Sequence, residues 1–199
     1  MSRPQRVPRA ELRQAILDAA RDILDREGVS GLSARAIARE VGYTAASIYN
    51  VFGSMSDILM EVNRETFVEL EKLIAGLPAN EPPSARLHLL CQAYISFMRR
   101  NPALWNALFG GTRHRETFPE WYAEAIRRLF GQLTHLLMAH APGLEPERAQ
   151  RLTEQLYVAI HGAVALESDR RLDILTSQSA GEIAASVLDA MLIRLKPKA

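Results

Sequence analysis

Three features of the sequence predict an all-helical fold. Apolar residues recur three and four positions apart along nearly every segment, no stretch alternates apolar and polar residues between hairpin turns, and Gly, Pro and Ser/Thr punctuate the chain at helix-length intervals. About nine helices are expected, in a small front domain over residues 1–55 and a larger one over residues 56–199.

Residues 1–8 form a basic, proline-punctuated arm with Arg3 and Arg6; it suits a phosphate backbone or minor groove, and equally a frayed terminus. Residues 9–27 carry Leu12, Ile16, Leu17, Ala20, Ile23 and Leu24 on one helical stripe, which Gly28 ends. Ser33 can cap a short helix whose inward face is Ile37, Ala38 and Val41, Gly42 allows a sharp reversal, and Thr44 can cap another with Ile48 and Phe52 inward. So short a second helix buries little by itself, and its outward face is open to something else. In a helix-turn-helix that face enters the major groove, bringing Ala45, Ala46, Ser47 and Asn50 near base edges or phosphates. An ordinary helical hairpin has the same local pattern.

After Phe52, a cap at Ser54 or Ser56 starts a long helix to about Ile74, and a Gly- and Pro-rich loop follows over residues 76–84. Helices are then expected over residues 85–100, 102–109, 119–140, 146–167 and 179–195, with a connector between Gly110 and Thr117. The last two carry wide apolar faces, with Ile183, Val187, Leu188, Met191 and Leu192 on the final one; pairing with a second copy would bury them, as would closure of their own core.

Composition narrows the function. The 199 residues have a net charge of only +1, so a nucleic-acid site must come from placement of charge and not from bulk charge. With no apolar run of membrane-spanning length and no signal-peptide core, no membrane association and a cytoplasmic location are expected. Cys91 stands alone, which removes intrachain disulfides and thiolate pairs for a metal. The five histidines form no HExxH or equally specific constellation; no enzyme, metal or cofactor is expected.

The segment from Ile16 to Leu59 closely resembles the TetR family of transcriptional regulators: the stripe of the first helix, the Gly28 turn, the Ile37 and Ala38 pair, Gly42, Tyr49 and Phe52 stand at the family's separations. NPALWNALF, with Tyr157 and then His161 and Gly162, is similar to a subgroup with Trp, three residues, then His-Gly; here Tyr157 takes the Trp position. The resemblance implies a helix-turn-helix DNA-binding domain followed by a helical ligand-binding and dimerisation domain. It implies base contacts at Thr44, Ala45 and Ser47, phosphate contacts at Tyr49 and Asn50, and backbone contacts at Ser33 and Arg35. Met55 stands where the family commonly has a phosphate-binding lysine, so one charged contact is missing. Val51 replaces a usual aromatic or histidine.

In the second domain, aromatic residues lie on separate helices, as in a converging ligand site, although a closed core would use them too. The expected lining is Tyr94, Phe97, Trp105, Trp121, Tyr157 and His161, around an apolar or aromatic small molecule; Arg99, Asn101, His114 and Arg115 could border its mouth. A homodimer that represses at an approximately palindromic operator in double-stranded DNA, and is released by that effector, is the resulting expectation. A helical scaffold without sequence-specific DNA binding is the alternative.

Overall fold

The computed structural model describes residues 8–109 and 118–195. Arg3 and Arg6 of the basic arm, and the connector with His114 and Arg115, lie outside the described residues. Those described form ten helices and no strand: α1 (Arg9–Gly31), α2 (Ala34–Val41), α3 (Ala45–Phe52), α4 (Met55–Ala75), α5 (Pro83–Arg100), α6 (Pro102–Phe109), α7 (Glu120–His140), α8 (Pro146–Ser168), α9 (Leu172–Leu175) and α10 (Ala180–Leu195). The unforeseen element is α9, one turn whose only buried residue is Leu172.

The chain divides into two compact units. The first runs through Val68 and also takes in Asn101–Glu116, which includes α6. Ile16, Ile23, Ile37, Ile48 and Ile58 are fully excluded from solvent at its centre, where Leu104 and Ala107 of α6 join them. Each such side chain contributes roughly 1.5–3 kcal/mol by leaving water, so a unit of short helices needs α6 and the start of α4 to complete its core. Gly28 does not quite end α1: the backbone takes φ 69°, ψ −171° there, a region open essentially to glycine, and one more turn follows to Gly31. Arg13 pairs with Glu61 at 2.9 Å and lies over the Phe52 ring, while Arg21 reaches Glu65 at 3.0 Å.

The second unit comprises Glu69–Arg100 and Thr117–Ala199. Within it α5 packs on α7, α8 and α10, and α8 packs on α7 and α10. Glu167, near the end of α8, ties three of these helices together. Both carboxylate oxygens accept from Arg99 of α5 at 2.8 Å, and one also accepts from the backbone N–H of Ala180, the first residue of α10, at 3.0 Å. The Arg99 guanidinium holds the Glu167 carboxyl below its ordinary range. On α10, Leu188 is fully buried and belongs to this unit's own core, Val187 is partly buried, and Ile193 is 66% exposed. Val158 on α8 is 67% exposed.

Candidate functional site

Capping builds the reading head. Ser33 Oγ accepts from the Ala36 N–H at 3.2 Å and starts α2; Thr44 Oγ1 accepts from the Ser47 N–H at 3.2 Å and starts α3. Between them Gly42 adopts the left-handed conformation (φ 72°, ψ 30°), and the Tyr43 N–H returns to the Ala38 carbonyl at 2.9 Å. The turn holds Ile48 fully buried and leaves Ala46, Tyr49 and Asn50 exposed on the opposite side of α3.

The proposed DNA-facing residues are not equivalent. Ser47 is partly buried and its hydroxyl is 3.0 Å from that of Thr44, so the two present a hydrogen-bonded pair at the start of α3. Ala45 packs its methyl against the core, whereas Ala46 is open to solvent. Asn50 is exposed, while its carbonyl accepts from Arg9 at 3.2 Å. Arg35 is exposed, and Arg39 lies one turn later on the same exposed face, a spacing of four that could have marked it in the sequence. Met55 and Val51 both pack against the core, so the departures at these positions add apolar burial to the turn.

An apolar cavity of about 70 Å³ lies in the second unit. Its walls are Leu70, Leu73 and Ile74 of α4, Leu90, Cys91 and Tyr94 of α5, Leu129, Phe130 and Leu133 of α7, and Tyr157 and Ile160 of α8. Two of the six expected ligand residues, Tyr94 and Tyr157, therefore line it. His161 stands next to it: Nδ1 shares a hydrogen bond with the Tyr94 hydroxyl at 3.2 Å, and its ring lies 5.2 Å from that of Tyr157. Phe130 meets Tyr157 at 4.9 Å. Burial pushes the His161 imidazole down to about 4, so it is neutral near pH 7, and pushes the Cys91 thiol up to about 12. Phe97 is buried outside this lining, Trp121 lies beside Tyr122 at 5.6 Å, and Trp105 is buried in α6, which belongs to the first unit. Aromatic content alone does not say which face a side chain occupies. The aliphatic walls from α4 and α7 gave no signal beyond ordinary helix periodicity.

A capped helix pair reversed at a left-handed glycine in one unit, and a second helical unit that holds an apolar cavity, are the parts of a helix-turn-helix regulator with a ligand-binding type of second domain. Residues 16–62 match the bacterial regulatory proteins of the tetR family, and residues 87–191 match the tetracyclin repressor-like C-terminal domain. The chain belongs to the TetR family of transcriptional regulators, a family of non-enzymes. It is 28% identical over 177 residues to the HTH-type transcriptional regulator YobS of Bacillus subtilis, covering 86% of this chain and 90% of that protein. It is 28% identical over 155 residues to BetI of Agrobacterium fabrum, covering 75% and 73%. A Rhodococcus protein of unknown function shares the fold at TM-score 0.76 and 22% identity, over 98% of this chain and 100% of that one. A regulator from Saccharomonospora viridis, solved in complex with choline, shares it at TM-score 0.72 and 20% identity, over 95% and 100%. No described helix is long and apolar enough to cross a membrane.

Proposed function

We propose that this TetR-family regulator is a cytoplasmic homodimeric repressor, released from an approximately palindromic operator by a small, largely apolar effector. The observation that carries the effector is the apolar cavity walled by α4, α5, α7 and α8. Residues 1–55 act as the reading head. Thr44, Ser47 and Ala46 face bases; Tyr49, Asn50, Ser33, Arg35 and Arg39 face phosphates. Two-fold symmetry then presents two α3 helices to two half-sites. Exposed apolar side chains on α8 and α10, Val158 and Ile193, suit a four-helix junction with a second copy. Effector binding favours one spacing of the two heads over another, and the coupling is reciprocal: operator DNA weakens effector binding by the factor that effector weakens operator binding.

The test is selection of genomic duplex fragments by the purified protein, with a salt series and an unrelated duplex as control. A palindromic consensus is expected; retention of no fragment selectively would favour a helical scaffold. An inducer must shift the operator-binding curve, and a ligand whose affinity is the same with and without saturating operator is not one.

A further inference from the structure

Next to the apolar cavity lies a second concavity, an open groove of about 410 Å³. Three of the cavity's four helices, α4, α5 and α7, also build it. Along α5, Arg86 of the groove precedes Leu90 of the cavity by one turn, and Leu77 of the groove lies just past the end of α4, whose Leu73 and Ile74 wall the cavity. On α7, the groove residues Arg128, Gln132 and His135 interleave with Leu129 and Leu133 of the cavity. Ile74 belongs to both. The two spaces thus succeed one another between the same walls, one apolar and one basic.

The charges of the groove are unequal. Arg128 Nε donates to Glu71 Oε1 at 2.8 Å, so its charge is already answered by a carboxylate. Arg86 has no carboxylate or other side-chain partner among the described residues, and its Nε is buried without a hydrogen bond. A guanidinium keeps its proton at any ordinary pH, and its planar fork suits a carboxylate. A single unanswered positive charge matches a singly charged head better than a doubly charged phosphate. The cavity beyond Ile74 has room for roughly five water-sized groups, taking about 10–15 Å³ for each, which fits a chain of several methylenes and not a long one.

We infer that the groove at Arg86 is the anion-binding mouth of the apolar cavity, and that the ligand is a short apolar chain ending in one carboxylate. This rests on the reading of the cavity as the effector site and specifies the effector's chemistry. The carboxylate accepts from the Arg86 guanidinium, Gln132 is within the same groove to donate from its amide, and the chain passes Ile74 toward Leu90 and Leu133.

Calorimetric titration of the full chain with octanoate, octanol, octyltrimethylammonium and acetate tests it. Octanoate is expected to bind at least about tenfold tighter than octanol, the scale of a charge-assisted hydrogen bond. The ammonium should bind weakest and acetate not measurably. Arg86→Gln should bring octanoate down to the affinity of octanol and leave octanol unchanged, Arg86→Lys should keep part of the preference, and Leu90→Phe should weaken both chains alike. Equal affinity for octanoate and octanol, preference for the ammonium, acetate binding as tight as octanoate, binding of none of the four, or full octanoate affinity in folded Arg86→Gln would each overturn the inference. The wild-type comparison decides even where the variant does not fold. Arg86-dependent octanoate binding that leaves the operator curve unmoved keeps the anion mouth and removes the effector role; release of operator by octanol at the same concentration as by octanoate keeps the effector role and removes the mouth.

Discussion

Asn63 sits in α4 with no solvent exposure, and neither amide atom has a hydrogen-bond partner among the described residues. A buried amide without partners costs about 1–3 kcal/mol against an apolar group of the same shape. Asn63→Leu should therefore raise the urea midpoint by an amount worth about 1–2 kcal/mol; an unchanged or lower midpoint means that the amide is satisfied in solution. Tyr49 poses the opposite case, an exposed hydroxyl on the reading helix beside fully buried Ile48. Tyr49→Phe should weaken operator binding by roughly two- to tenfold, the net worth of one hydrogen bond, with the circular dichroism spectrum intact. Unchanged affinity across a salt series removes Tyr49 as an anchor. Ser47→Ala should instead alter relative affinities among related operators, because its hydroxyl is paired with that of Thr44 and orients it.

Among the elements, α10 depends on a residue outside itself. Glu167 of α8 accepts from its first N–H and holds Arg99 of α5 with the same carboxylate, so three helices share one charge. Glu167 ionises below its ordinary range in the folded state. Its contribution is therefore present above about pH 4.5, the unfolded range, and is lost as pH falls through the lower folded value. Glu167→Gln should cost about 1–2 kcal/mol near pH 7, after discounting for the partial exposure of the pair. The difference from wild type should shrink toward pH 3; a cost independent of pH would assign the loss to packing. Helices of three turns or more were legible because an amphipathic stripe repeats within them, and α2 and α3 because Ser33, Gly42 and Thr44 mark their ends. The four-residue α9 was not, since one turn contains no period. Gly28 read as a terminus, yet the helix resumes beyond it; a positive φ interrupts the hydrogen-bond ladder but leaves the next residues free to re-enter the helix.

At the scale of the whole molecule, assembly and control are separable. Leu188 lies in its own unit's core with no exposure, so Leu188→Glu should unfold that unit; Ile193→Glu or Val158→Glu should yield a folded monomer, read by light scattering and circular dichroism together. A dimer mass retained by both folded variants places the junction elsewhere. The sequence located a second domain with a ligand-type cavity but named only its aromatic residues. It could not rank them, because Tyr94 and Tyr157 reach the cavity while Trp105 is buried on α6, which belongs to the first unit, and helical spacing alone does not separate these cases. Arg86 was also invisible there: a lone arginine near a helix start becomes distinctive only once its lack of a partner is known.

The one sulfhydryl of the chain is in the cavity wall, and burial keeps it protonated far above neutral pH. Only a thiolate reached by solvent reacts at a useful rate, so alkylation of Cys91 counts the moments at which the interior opens. With excess iodoacetamide, modification should be slow and single-exponential. An occupant that fills the wall at Cys91 should slow it further in proportion to occupancy, making the residue a built-in clock for entry and exit that needs no label and no operator. Rapid modification unaffected by any cavity ligand would mean that the wall breathes independently of what it encloses.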